Sequence, residues 1–165
     1  MIESTLIGSE AKSSERFLGH GTSLRASIPL LLRRPDRQLL SMVQAFRTTG
    51  GVVCGDELAY LLRRRSKQPI SIVARWIVGR QVVSFEWQSQ TMLPLFQFDP
   101  SNMALRSCVV EIVRELVDTY DDWEAAWWFA SPNAWLDGAM PVERIDKDAQ
   151  EVLDAARADR FIARG

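Results

Sequence analysis

Few side chains in this sequence have the types and spacing that catalysis needs. The nearest carboxylate cluster is Asp121, Asp122 and Glu124, at the start of a predicted helix, where the helix dipole ordinarily favours acidic side chains. The segment TTGG at residues 48–51 lacks the spacing of a phosphate-binding loop. Two cysteines and one histidine do not form a metal-ligand pattern. The sequence therefore predicts no enzymatic activity, no metal site and no cofactor.

The basic side chains carry a more specific signal. Residues 33–80 contain ten Lys or Arg against three acids, and four of these cations fall within RRRSK at residues 63–67. Positive charge beside a groove-sized element is what contacts to DNA phosphates require. We predict DNA contacts from eight residues: Arg63, Arg64, Arg65 and Lys67 in a turn, Ser71 and Arg75 on an outward helix face, and Arg80 and Gln88 at the helix end and hairpin. The alternative is a solvated basic face on a domain that binds something other than DNA.

The elements that would position these cations follow from hydrophobic periodicity. Leu39, Val43 and Phe46 predict a short helix that ends at paired glycines. Two helices joined by a tight turn are predicted from two apolar stripes: Leu58, Leu61 and Leu62, then Ile70, Val73, Ala74 and Ile77. Apolar runs around a polar turn at residues 88–90 predict a β-hairpin. A helix-turn-helix followed by a hairpin is the order of a winged helix, which we assign to residues 36–100.

The remainder, residues 101–165, is predicted to be all-α. Its first helix carries four apolar residues on one face: Val109, Ile112, Val113 and Leu116. Ser131 is predicted to cap a helix that begins at Pro132 and ends at Gly138, and the proline at 141 starts the next one. The last helix, residues 148–160, turns three residues inward: Val152, Leu153 and Ala156. The expected fold class is mainly α with one β-hairpin, a winged helix-turn-helix-like domain followed by a small all-α domain.

Tryptophan is unusually frequent, with six residues in the chain. Four are expected in the core: Trp76 and Trp87 between helix and hairpin, and Trp123 and Trp127 between helices. Trp128 and Trp135 cannot both point the same way as Trp127. For these side chains both a buried position and an exposed position at an interface remain open.

Charge is divided unevenly along the chain. Residues 1–100 hold 13 Lys or Arg against 8 Asp or Glu, whereas residues 101–165 hold 7 against 13. This division suggests two surfaces with different partners. The plainer alternative is an uneven distribution of charged surface side chains that has no functional role.

Residues 1–35, rich in Ser, Gly and Thr, are expected to form a mobile leader. The sequence contains no signal-peptide pattern and no apolar run of membrane-spanning length, so we expect a cytoplasmic protein without a membrane partner.

One part of the sequence resembles a known family. A tryptophan-bearing helix, the Pro132-Asn133 pair, the turn at residues 136–138, Pro141 and the closing segment AQEVLDAARADRFIARG are similar to the C-terminal toxin-binding domain of Xre/MbcA/ParS antitoxins. The resemblance covers residues 105–165. It departs in the last helix, which lacks the family's glycine before the valine and its Leu-rich ending. The segment GDELAYLLRRRSKQPISIVARWIVGRQVV resembles a MerR- or excisionase-type winged helix-turn-helix, whereas Xre members usually have an all-helical DNA-binding unit.

The resemblance implies a DNA-binding antitoxin or a regulator derived from one. Residues 36–100 would bind duplex operator DNA. Residues 101–165 would bind a RES-type toxin that consumes NAD or transfers ADP-ribose. The implied toxin contacts are Trp128, Pro132, Asn133, Trp135 and Leu136, with Arg160, Phe161, Arg164 and the Gly165 carboxylate at the toxin's active-site entrance. A homodimer is expected because helix-turn-helix proteins usually bind paired half-sites. The alternative is a protein-interaction adaptor built on a helix-turn-helix scaffold that does not bind DNA.

Overall fold

Residues 34–165, the part of the chain that the computed structural model describes, fold into seven α-helices and one three-stranded antiparallel sheet. In chain order the elements are α1 (Arg34–Phe46), β1 (Val52–Cys54), α2 (Gly55–Leu62), α3 (Pro69–Val78), β2 (Phe85–Trp87), β3 (Gln90–Pro94), α4 (Ser107–Leu116), α5 (Asp122–Phe129), α6 (Pro141–Arg144) and α7 (Ala149–Arg164). The expected mainly helical fold with a β-hairpin is confirmed. Of the predicted leader, residues 1–33 lie outside the described residues, and residues 34 and 35 belong to α1.

The first helix continues into one 3-10 turn and ends at paired glycines, as predicted. Gly50 has a φ of 105°, and a Cβ there would lie 3.0 Å from the Cβ of Leu95, so a side chain would be strained as well as crowded. The buried face of α1 consists of Met42, Ala45 and Phe46. Val43, predicted to be inward, is exposed, because it lies at the edge of the helix face that Met42, Ala45 and Phe46 bury.

A short strand that periodicity did not predict precedes α2. β1 pairs antiparallel with β3, with Val53 opposite Leu93, and completes a sheet of order β1-β3-β2. Three residues are too few to show the alternation by which a strand is predicted. α2 begins directly after β1, buries Leu58 and Leu62, and leaves Leu61 of its predicted stripe exposed.

The inward face of α3 differs from the predicted stripe. Its packed residues are Ile72, Val73, Trp76 and Ile77. Ile70 and Ala74, both predicted to be inward, are exposed. The cause is the Trp76 ring, which lies 5.7 Å from the ring of Phe98 and determines the side of α3 that is buried.

The predicted β-hairpin is confirmed. β2 and β3 pair antiparallel with Trp87 opposite Gln90. Gln88 and Ser89 between them both have positive φ, 48° and 63°, which is the conformation of a two-residue type I′ turn. The hairpin tip therefore projects the exposed Gln88 from the sheet.

The larger core cluster draws on residues from both sides of position 100. It contains Met42, Phe85 and Phe96 together with Ile112 and Phe129. The rings of Phe96 and Phe129 lie 4.9 Å apart. The predicted boundary between residues 36–100 and 101–165 thus falls within a shared core.

Helices α4 and α7 carry the inward faces that were predicted. Their buried residues are Val109, Ile112, Val113 and Leu116 on α4, and Val152, Leu153, Ala155 and Ala156 on α7. Pro141 begins α6, also as predicted. The capping prediction was wrong, because Asn133 rather than Ser131 caps the next turn, a 3-10 turn over Ala134–Leu136, and accepts a hydrogen bond from the backbone N–H of Trp135 at 2.8 Å.

The acidic cluster at the start of α5 has a structural role. Asp121 Oδ1 accepts the backbone N–H of Glu124 at 2.7 Å, and Glu124 Oε2 accepts the backbone N–H of Asp121 at 2.9 Å. This is a capping box, which satisfies two backbone donors at the helix start. Trp123 in the same helix packs on the hairpin rather than on another helix, with its ring 6.1 Å from that of Trp87.

Candidate functional site

One carboxylate gathers three residues that the family resemblance implied. Asp159 on α7 accepts the Trp128 indole N–H and the Asn133 amide N–H on Oδ2, both at 2.7 Å. Its Oδ1 accepts the Trp135 indole N–H at 2.9 Å. Asp159 itself was not predicted from the sequence. These contacts tie the last helix to α5 and to the loop that follows it.

The loop that presents Trp135 is held by backbone hydrogen bonds. The N–H of Asn133 donates to Ala139 O at 3.1 Å, and its carbonyl accepts from the N–H groups of Leu136 and Gly138 at 3.1 and 2.9 Å. Leu136 is fully buried and anchors the loop in the core. The implied role of Leu136 as a toxin contact is therefore corrected, because its side chain faces the protein interior.

Beside this cluster lies an open groove of about 430 Å³, which we call the indole groove. Its lining residues are Tyr120, Glu124, Trp127, Trp128, Ser131, Pro132, Asn133, Ala134 and Asp159. Burial raises the pKa of the Tyr120 hydroxyl, and the negative charges of Asp159 and Glu124 raise that pKa further. The groove thus combines aromatic walls with a negative electrostatic potential.

The two tryptophans of the cluster differ in exposure. Trp128 is only 8% exposed and belongs to the core, whereas Trp135 is 53% exposed. The alternatives that the sequence left open are thereby assigned, with Trp128 buried and Trp135 at the surface. Pro132 is also exposed at the rim of the groove.

The chain end folds as the final turns of α7. Phe161 is 81% exposed, and Gly165 is exposed as well. The two arginines implied as toxin contacts already have partners on or just after α4, since Arg160 forms an ion pair with Glu115 and Arg164 one with Asp118 at 2.9 Å. The chain end therefore presents an apolar side chain flanked by ion-paired arginines.

The predicted DNA-contacting residues are mostly exposed. Arg63, Arg64, Arg65, Lys67, Ser71, Arg75 and Gln88 all face solvent. The Arg63 guanidinium lies 5.3 Å from the centre of the Tyr60 ring. Within residues 34–165, none of these cations forms an ion pair with a carboxylate. The turn and the outward face of α3 thus carry unneutralised positive charge.

Arg80 is placed differently from its predicted role. Its guanidinium donates to the carbonyl oxygens of Val117 and Tyr120 and forms an ion pair with Asp122 at 3.2 Å. Carbonyls at the end of a helix lack intrahelical donors, so Arg80 caps α4. We correct the predicted DNA contact because this guanidinium is engaged within the protein.

The chain was compared with known families and structures. No family model, curated protein or solved structure matches it. The resemblance to Xre/MbcA/ParS antitoxins accordingly remains a prediction from the residues that carry it.

Two further features concern ions and membranes. Among the described residues, no group of three or more His, Cys, Asp and Glu side chains is arranged to hold a metal ion. None of the helices within residues 34–165 has the length and apolar character that crossing a bilayer requires.

Trp135→Ala tests whether the exposed Trp135 ring, which lies beside the indole groove, belongs to a binding surface. We expect thermal unfolding to stay close to that of the parent, because the ring is half exposed and water can replace its hydrogen bond to Asp159. Binding to a protein partner should weaken by about 2 kcal/mol or more, as for an aromatic interface anchor. Calorimetric melting and titration against the partner measure the two effects. A strongly lowered melting temperature with unchanged binding would instead make Trp135 a structural residue.

Proposed function

We propose that this protein is a DNA-binding antitoxin, or a transcriptional regulator derived from one, that neutralises a RES-type toxin through residues 101–165. The observation that carries the proposal is the cluster in which Asp159 holds Trp128, Asn133 and Trp135 beside an open groove. A half-exposed aromatic that is hydrogen-bonded beside a groove is typical of a protein interface. Residues named from the family resemblance thus share one site, which supports the proposed partner.

The arrangement of residues 34–100 supports the DNA-binding part of the proposal. α2 and α3 lie in sequence between β1 and the hairpin, and the hairpin strand β3 pairs with β1. A helix-turn-helix flanked in this way is compatible with a winged helix, with α3 as the recognition helix and the Gln88 tip as the wing. The exposed cations of the turn would contact phosphates, and Ser71 and Arg75 would face the bases.

The phosphate contacts are tested by the salt dependence of DNA binding. Replacing Arg63, Arg64 and Arg65 by alanine should flatten the slope of log affinity against log salt by about 0.9 for each lost contact. Fluorescence anisotropy with duplex DNA at several salt concentrations gives the slope. The control replaces Arg114 and Lys147, two exposed cations of the other half, by alanine. Equal slopes for the parent and the triple variant would exclude the proposed contacts.

The toxin-binding part is tested by co-expression with a RES-type toxin. The full chain should be isolated with the toxin and should protect the cellular NAD pool. A toxin that is neither captured nor inhibited would remove the antitoxin proposal. The DNA measurement is independent of this result.

A second candidate function is a protein-interaction adaptor without DNA binding. It is favoured by apolar side chains on the outward faces of α2 and α3, since Ile70 is 69% and Val78 84% exposed, and Tyr60 is exposed nearby. A DNA-reading helix face is expected to carry polar side chains. The same apolar side chains could contribute to the proposed homodimer. If the protein does not bind duplex DNA even at low salt, the adaptor function is favoured.

A further inference from the structure

Two carboxylates at the indole groove lack a cationic partner. Asp159 is bonded to three neutral N–H donors, which leave its charge in place. Glu124 accepts one backbone N–H in the capping box of α5. Within residues 34–165 no Lys, Arg or His lies within ion-pair distance of either carboxylate. The groove is therefore a concave site with uncompensated negative charge.

The walls between these carboxylates are aromatic and contain an unused polar group. Trp127, Trp128 and Tyr120 line the groove. The hydroxyl oxygen of Ser131, in the same lining, is buried from solvent and has no hydrogen-bond partner. Because this oxygen is covered by protein atoms, it is not exposed to a ligand in the groove. The groups that the site offers are therefore π faces and carboxylates.

We infer that the indole groove binds an arginine side chain presented by the protein partner, an inference that rests on the proposed function. A guanidinium is planar and permanently charged, and it carries five N–H donors. It stacks on indole and phenol rings and forms charge-assisted hydrogen bonds with carboxylates. Glu124 and Asp159 supply acceptors, and the aromatic walls supply the stacking surface. Lysine matches this site less well, because its compact ammonium cannot stack as a plane.

The probe is N-acetyl-arginine amide, titrated into the isotopically labelled full chain while the indole N–H resonances are followed. Saturable shifts of the Trp127 and Trp128 resonances are expected. N-acetyl-citrulline amide, similar in shape but neutral, should bind at least about tenfold more weakly, because charge-assisted hydrogen bonds are lost. Equal affinity for the two amides, or absence of saturation with both, overturns the inference.

Glu124→Gln provides the matching change in the protein. Glutamine is accepted at this capping-box position, so the start of α5 should be retained while the charge is removed. We expect about tenfold weaker binding of the arginine amide. Glu111→Gln, at an exposed position on α4 away from the groove lining, should bind as the parent does. If both variants bind alike, Glu124 does not recognise the guanidinium and the inference is wrong.

Two comparisons separate this inference from the proposed function. Binding of the arginine amide without capture of a toxin would refute the antitoxin role but not the arginine site. Toxin capture that Glu124→Gln leaves unchanged would refute arginine recognition but not the antitoxin role. If replacing residues 63–65 by alanine shifts the indole resonances of the protein alone at high concentration, the arginine comes from a second copy, and the partner assignment is wrong.

Discussion

Asp159→Ala is expected to lower the free energy of unfolding by about 3–5 kcal/mol. The substitution removes the one side-chain acceptor that residues 34–165 provide for the Trp128 and Asn133 donors, and both residues are 8% exposed. Each buried donor left without a partner costs about 1–3 kcal/mol. The Trp135 indole N–H adds less, since water reaches it. Chemical denaturation followed by tryptophan fluorescence measures the change.

The control for this substitution lies on the same helix. Asp154→Ala removes an exposed carboxylate that contacts Gln150 and Arg157, both at 3.0 Å. Its partners remain solvated after the change, so its stability should fall far less. If Asp159→Ala unfolds at the same denaturant concentration as Asp154→Ala, water must replace the carboxylate. The cluster would then not hold the site together.

Periodicity predicted the faces of some helices and not of others, for a physical reason. The four inward residues of α4 were all predicted because that helix packs on the core through one continuous apolar face. α3 is apolar on several sides, since Ile70, Val73 and Val78 lie at different angles around it. Its buried side is chosen by a tertiary contact, the packing of Trp76 on Phe98. The pattern of α3 alone does not contain that information.

The candidate site shows the same limit. Trp128, Asn133 and Trp135 were implied by the family resemblance, but their common acceptor lies 24 to 31 residues away along the chain. A signal for Asp159 was nevertheless present. Asp159 follows Val152 by seven residues and Ala156 by three, so this carboxylate lies on the buried face of α7. A carboxylate in that register indicates that a buried donor is nearby.

Arg80 illustrates a residue whose role no local pattern reveals. It follows a helix in a basic segment, which favoured a DNA contact. Its partners are separated from it by 37 to 42 residues and belong to the end of α4 and the start of α5. Only the packing of the two parts of the chain brings them together. Arg80 consequently joins the predicted DNA-binding part to the part that bears the indole groove.

On the proposed antitoxin function, deleting residues 161–165 should abolish inhibition of a RES-type toxin while the fold is retained. Phe161 and Ile162 are largely exposed, so little apolar area is lost from the interior. The deletion removes the exposed ion pair between Arg164 and Asp118, which contributes less than about 1 kcal/mol. It spares Arg160, whose loss would leave the largely buried Glu115 without one of its cations. Toxin activity and thermal unfolding are measured on the same preparation.

Arg160→Ala in the full chain is the complementary variant for this deletion. It should lower the free energy of unfolding, because the buried Oε2 of Glu115 loses the Arg160 guanidinium that pairs with it. The exposed residues after position 160 stay in place. Inhibition retained in Arg160→Ala and lost in the deletion would assign the toxin contact to residues 161–165. A shortened chain that unfolds at the parent temperature and still neutralises the toxin would refute the role of the chain end. A shortened chain that unfolds would show that the last turn of α7 stabilises the fold instead of reaching the partner.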